Sequence, residues 1–378
     1  MRSCSKFSHR LYTIILLIFS SFLILSLAGC GGGGSDPLGS ILNQPSDSTS
    51  AATSSNHNDD NTPATNNGSL DQPDVPNSDN GEPKKWPKEP MIWLNEIDES
   101  ANEVNGNVTL NAADTNKGII RLMYKGDNPY VRVHITIPDG TVYEYAIVYY
   151  DTFSFTNEFV TFPLTGGDGE YDISVFEVVD RTKGTYTKIF FSKFDVAVEP
   201  KLDENGEVLY KAELVPFLPP NTYVNFSAES KAIQKAVTLI RPTNDEMDVI
   251  NDIYDFVINN IKYDTSKVEG LSWPYIPDID VTLETGKGIC FDYASLMASM
   301  LRSQGIPTKL VFGYVGSDAV YHAWISCWTA KDGWLEGVIQ FNGQSWNLAD
   351  PTFGAGASNR DLKRLIGDGS KYDMKFMY

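Results

Sequence analysis

GKGICFDYASLMASMLRSQGIPTKLVFGYV, Gly286 to Val315, is the stretch whose reading decides the fold. Gly286 and Gly288 let the backbone turn tightly just before Cys290. From Phe291 to Arg302 the residues are good helix formers, and Gly305 with Pro307 beyond it is a standard stop. Cys290 is therefore expected at or just before a helix N-terminus. Unpaired N–H groups and the helix macrodipole gather there; they favour a thiolate over a thiol and can hold an oxyanion. Asp292, in the first turn, suits a capping or dipole role. A strand from Lys309 to Val315 should follow the stop.

Downstream, Val320-Tyr321-His322-Ala323-Trp324-Ile325 reads as a further strand and carries the one histidine of residues 203–378. A cysteine nucleophile needs a base and proton donor near neutral pH, so His322 is the natural candidate. Cys327, five residues on, falls on the opposite face of an unbroken strand. If His322 faces Cys290, Cys327 should not, which argues against a Cys290–Cys327 disulfide, the purely structural alternative. Asn342-Gly343 signals a hairpin turn, and the returning strand ends in Ala349-Asp350-Pro351-Thr352. A carboxylate at that point could hold His322 in the productive tautomer.

Upstream of Gly286 the signals are helical. Ser227 to Ile240 fits a short helix stopped by Pro242. Thr243-Asn244-Asp245-Glu246 has the capping-box pattern, with Thr243 as the cap. Met247, Ile250, Ile253, Tyr254, Val257 and Ile261 then share one helix face, and Tyr263 closes the run. A loop with Trp273, Pro274 and Pro277 leads on to Gly286.

Earlier still, from Trp86 to about Glu199, the period changes to two. Val131-Arg132-Val133-His134-Ile135-Thr136-Ile137 alternates strictly, Asp139-Gly140 turns the chain, and Val142 to Tyr150 returns. Strand-like runs at Gly118–Tyr124, Phe159–Leu164, Tyr171–Val179 and Tyr186–Val198 complete an expected immunoglobulin-like β-sandwich. His134 falls on the polar face of its strand and reads as a surface residue. Asp203-Glu204-Asn205-Gly206-Glu207 lacks the spaced ligands of a calcium loop and reads as a polar turn between domains.

The first residues give the expected address. Arg2, Lys6 and Arg10 precede an apolar run from Leu11 to Leu27, and Leu27-Ala28-Gly29-Cys30 resembles a bacterial lipobox. The expected organisation is a lipoprotein signal peptide over 1–29 and lipidated Cys30 opening a disordered Ser/Asn/Asp/Pro-rich tether over 30–85. A β-sandwich over 86–202 and an α+β domain over 203–378 follow. The mature chain would be extracytoplasmic and held to the membrane through Cys30. Net charge is −19, and no segment after residue 30 is basic, which argues against nucleic acid as a partner.

Taken together, Gly288-Ile289-Cys290-Phe291-Asp292-Tyr293-Ala294, Gly305-Ile306-Pro307, Tyr321-His322-Ala323-Trp324 and Leu348-Ala349-Asp350-Pro351-Thr352 resemble the bacterial transglutaminase-like superfamily in order and spacing. The resemblance covers roughly Phe217 to Phe353. It implies a papain-like α+β fold and a Cys–His–Asp triad at Cys290, His322 and Asp350, with neither metal nor organic cofactor. It also implies a side chain in the oxyanion hole, for which Trp273 and Tyr263 are both candidates. The expected activity is thioester acyl-enzyme formation on protein or peptide amides, with transfer to water or to an amine. Extracellular protein or cell-wall peptide is the expected substrate. The alternative is a non-catalytic surface-binding protein that uses the papain-like domain as a scaffold.

Overall fold

The computed structural model describes residues 86–148, 158–180, 183–271, 275–315, 320–336, 339–340, 346–347 and 372–378. The leader, the tether with Cys30, Trp273, the Asn342-Gly343 turn and Asp350 lie outside the described residues. The described residues open with eight strands: β1 (Asn102–Asn105), β2 (Val108–Asn111), β3 (Ile119–Tyr124), β4 (Tyr130–Thr136), β5 (Val142–Val148), β6 (Val160–Pro163), β7 (Gly169–Asp180) and β8 (Thr185–Val196). They form two antiparallel sheets, ordered β1-β2-β3-β6 and β5-β4-β7-β8. In β4, Val131, Val133 and Ile135 are buried while Arg132, His134 and Thr136 are half-buried, the signature of one covered face. Tyr145 of β5 meets Phe162 of β6 edge-on at 4.9 Å, and the Tyr124 hydroxyl in β3 donates to Glu177 of β7 at 2.6 Å. The two sheets thus share a core.

Strands β3 to β8 fall within about two residues of the sequence reading, whereas β1 and β2 escape it. They are joined by Gly106-Asn107, a two-residue turn with Gly106 at φ +58°. β3 does not alternate because all six of its residues are buried. On its second face Arg121 pairs with Asp114 at 2.5 Å and reaches the Asn95 carbonyl. The hairpin β9 (Lys201–Leu202) and β10 (Val208–Tyr210) follows. In its turn the Asp203 carboxylate accepts from the N–H groups of Asn205 and Glu207, so the polar turn satisfies itself.

The helical half runs α1 (Lys231–Leu239), α2 (Glu246–Asn260), β11 (Lys262–Tyr263), α3 (Thr265–Gly270), α4 (Ile279–Thr285), β12 (Lys287–Gly288) and α5 (Cys290–Ser303). Strands β13 (Thr308–Val315), β14 (Val320–Thr329), β15 (Gly333–Glu336), β16 (Ile339–Gln340), β17 (Trp346–Asn347) and β18 (Tyr372–Met377) complete it. The cap of α2 is Asp245, which accepts from the Met247 N–H at 2.8 Å, and not Thr243 as the capping-box pattern predicts. Thr243 is held in a backbone bridge to Trp86, and its hydroxyl donates to Asp248 five residues further on. Its backbone is therefore committed before the helix begins.

All fourteen residues of α5 are buried, so it is the axis of this half rather than a surface helix. It lies on an antiparallel sheet ordered β15-β14-β13-β18. Leu310, Phe312, Ala323, Ile325 and Cys327 alternate onto one face of that sheet and join α5 in a continuous core, which also contains the interior of the first two sheets. Direct hydrogen bonds cross between the halves: Trp86 Nε1 donates to the Gln304 carbonyl at 3.0 Å, and the Thr222 N–H to the Thr161 carbonyl at 3.1 Å.

Candidate active site

Three local features place Cys290. Gly286 ends α4 in the left-handed region at φ +62°, a conformation that suits glycine. β12 then pairs in parallel with β11, setting Tyr263 opposite Gly288. A Cβ at Gly288 would lie 2.6 Å from the Asp292 Cβ, so the chain can pass only without a side chain. Ile289 is the N-cap residue and Cys290 the first residue of α5, as the sequence predicts.

Ile289 has no side-chain acceptor, so only the carboxylate half of a capping box exists. Asp292, fully buried, accepts from the Ile289 N–H at 2.7 Å. The same oxygen takes Lys267 Nζ of α3 at 2.8 Å, and the other oxygen accepts the hydroxyl of Tyr275. The Lys267 ammonium also lies 4.6 Å from the centre of the Tyr275 ring. Burial, reinforced by the Asp292 charge, raises the Tyr275 phenol, which therefore stays a donor. Asp292 is thus the cap that the sequence suggests, while Lys267 and Tyr275 escape sequence reading. A carboxylate in a buried first turn calls for a cation, but Lys262, Lys267 and Lys287 are all close in sequence and nothing there chooses between them.

Cys290 is 3% exposed. By helix geometry the first N–H groups of α5 have no acceptor within the helix, so partial positive charge converges beside its thiol. Aromatic rings line the surroundings: Phe291 meets Phe312 at 4.9 Å, Tyr223 at 5.4 Å and Tyr275 at 6.1 Å, each edge-on. The Tyr321 phenol of β14 is raised by burial and, to a lesser degree, by Tyr223, Tyr314 and Cys290.

His322 follows Tyr321 on β14, opposite Gly313 of β13, and its buried ring lies parallel to Trp324 at 6.4 Å. Register puts Tyr321, Ala323, Ile325 and Cys327 on the α5 side of the sheet and His322 and Trp324 on the alternate side. β15 joins β14 only from Ser326 onward, so at His322 the strand has a partner on one side alone among the described residues. The helix that opens with Cys290 thus packs on β14, the strand that carries His322 on its other face. Tyr263 lies two residues from Cys290 across the β11–β12 pair; Trp273 and Asp350 are outside the described residues.

Cys327 is a free thiol, as is Cys290, so the disulfide alternative is not realised. Burial pushes the Cys327 thiol up to about 12. Among the described residues no group of three or more His, Cys, Asp or Glu side chains is placed to hold a metal ion.

The pattern of the transglutaminase-like superfamily matches residues 233–337, which include Cys290 and His322 and end before Asp350. Protein-glutamine gamma-glutamyltransferase of Pseudomonas aeruginosa is 37% identical over 68 residues, covering 15% of this chain and 10% of that protein. The chain thus spans about a tenth of the length of that curated relative. Among solved structures, a candidate cysteine protease from Cytophaga hutchinsonii is similar at TM-score 0.33 and 14% identity, covering 76% of this chain and 74% of that one. Red sea bream transglutaminase is similar at TM-score 0.26 and 13% identity, covering 62% and 48%. Residues 233–337 thus carry a region that matches the transglutaminase-like superfamily.

Proposed function

We propose that the chain is a cysteine acyl-transfer enzyme in which Cys290 attacks an amide carbonyl of a protein or peptide. The observation that carries this reading is the seat of Cys290: first residue of a wholly buried helix, inside the region that matches the superfamily. The sulfur forms the thioester, His322 takes the thiol proton and returns it to the departing amine, and Asp350 orients the imidazole. Water then releases an acid, or a second amine takes the acyl group. The N–H groups at the head of α5 stabilise the oxyanion, assisted by Tyr263 or Trp273. Tyr263 is favoured by its place beside Gly288. The roles of His322 and Asp350 are supported by their place in the motif pattern.

The sheet orders β1-β2-β3-β6 and β5-β4-β7-β8 support reading the first half as an immunoglobulin-like sandwich over 86–202, ahead of the acyl-transfer domain over 203–378. Lipidation at Cys30, with a tether of about fifty residues reaching roughly 40 Å, would present both at a cell surface. Extracellular protein or cell-wall peptide is then the substrate within reach.

The test is differential alkylation of the full chain with iodoacetamide, read by mass spectrometry at each cysteine. Cys290 should react at least tenfold faster than Cys327, on the order expected for a dipole-activated against a buried thiol. Equal rates end the nucleophile assignment. Turnover of an amide probe should vanish in Cys290→Ala and fall about 10²- to 10⁴-fold in His322→Asn. Undiminished turnover in His322→Asn moves the base role to another group.

A further inference from the structure

Asp292 presents a conflict that the nucleophile reading does not resolve. Its carboxylate is needed to cap the Ile289 N–H, yet it is a buried negative charge within one helical turn of the thiol. A like charge that close disfavours ionisation of a second acid. We propose that Lys267 is an electrostatic positioning residue: by pairing with Asp292 it cancels the cap's charge and leaves the helix head free to favour the Cys290 thiolate. The inference rests on Cys290 being the nucleophile.

The geometry is specific to that role. Lys267 Nζ lies 2.8 Å from the carboxylate oxygen that also holds Ile289, with its side chain 27% exposed, so the ammonium keeps some solvent while touching a fully buried partner. Tyr275 fixes the other oxygen and offers its ring to the same ammonium at 4.6 Å. At the head of α5 that helix contributes Asp292, α3 contributes Lys267 and the segment before α4 contributes Tyr275, while β14, packed on α5, carries Tyr321 on the near face and His322 on the far one. The phenols of Tyr275 and Tyr321 are both raised by burial and stay neutral near neutral pH. The charge on Asp292 is therefore answered by Lys267.

A purely structural clamp and an electrostatic one predict different signs in a double-mutant cycle. The full chain and its Lys267→Met, Asp292→Asn and Lys267→Met/Asp292→Asn variants would be alkylated with iodoacetamide across about pH 5 to 9, reading Cys290 by mass spectrometry against Cys327. Lys267→Met should slow Cys290 about three- to tenfold at pH 7 and move the midpoint of its pH profile upward. The double variant, lacking both charges, should recover at least half of that loss. A Lys267→Met rate equal to wild type, or a double variant as slow as the single, overturns the inference. Lys267→Gln, which keeps a donor to the carboxylate, carries the same test should Lys267→Met not fold. A wild-type Cys290 no faster than Cys327 would instead remove the nucleophile reading itself, before any variant is compared.

Discussion

The two ends of α5 each bury a full charge, and they hold it in opposite ways. At the N-terminal end Asp292 stands by Cys290; at the C-terminal end Arg302 stands by β13, where Thr308 pairs with Cys327. An acid in the first turn and a base in the last both suit the macrodipole. Their partners differ. Among the described residues Arg302 donates only to backbone carbonyls, those of Thr308, Pro219 and Tyr378 at 2.8, 2.7 and 2.6 Å. Burial lowers the guanidinium to about 9, still high enough to remain charged at neutral pH. Asp292 is instead held by two side chains, Lys267 and Tyr275, besides one N–H. Carbonyls cannot titrate or turn away without unfolding, whereas side chains can be tuned to a reaction. On the proposed function, the C-terminal end belongs to the fold and the N-terminal end to the chemistry.

Removing Arg302 should have the largest effect on that contrast. Arg302→Met keeps much of the stem and strands three buried carbonyls, which should cost about 3–5 kcal/mol of stability. Urea unfolding of the full chain followed by far-UV circular dichroism would measure it. A loss under about 1 kcal/mol would mean the carbonyls find other donors and the C-terminal end is not the anchor. Residual folded Arg302→Met should still alkylate preferentially at Cys290, because nothing at the helix head has changed.

Gly288→Ala attacks the other end with a smaller cost. Its Cβ would come within 2.6 Å of the Asp292 Cβ and 3.1 Å of the capping oxygen, so the carboxylate must leave the Ile289 N–H. Overpacking of this kind costs about 1–3 kcal/mol. The informative readout is Cys290 alkylation, which should slow, while hydrogen exchange of the Thr308–Phe312 amides stays protected. Equal loosening at both ends would dissolve the distinction between them.

Much of the candidate site was legible in the chain because it rests on local rules. A turn of glycines, a run of helix formers and a Gly-x-Pro stop place Cys290 from nearest neighbours alone, and period two places His322 and Cys327 on opposite faces of β14. What escaped depends on contacts far apart in sequence. Thr243 reads as a cap until Trp86, more than 150 residues earlier, pairs with its backbone. β3 reads only as a strand-like run until Arg121 on its second face meets Asp114 and the Asn95 carbonyl. Lys267 is one lysine of several until Asp292 selects it. Periodicity reports which faces an element offers and is silent on what will cover them. The shared core of the two halves, where Tyr145 stacks on Tyr223 at 5.4 Å and Tyr223 meets Phe291 beside the thiol, is invisible for the same reason.

The finest test of the two-ended helix is the pH response of Cys327. Burial raises its thiol from an ordinary value of 9.0 to about 12 in the folded chain. In the unfolded chain the thiol ionises first, so below pH 9 it has no effect on stability. As pH rises from about 9 toward 12 the unfolded state loses its proton while the folded state keeps it, and stability falls by up to about 1.4 kcal/mol per unit. Buried phenols such as Tyr143, Tyr145 and Tyr378 are raised in the same way but start from 10.0, so the cleanest window is pH 9 to 10. Cys327→Ala should therefore show a shallower loss than wild type across that window, by about 1 kcal/mol, on top of a constant offset for the lost sulfur. Cys290 is present in both proteins and cancels from the difference. Parallel stability curves from pH 8 to 10 would mean that the Cys327 thiolate is tolerated under α5, and the two ends of the helix would no longer differ in what they do to a thiol.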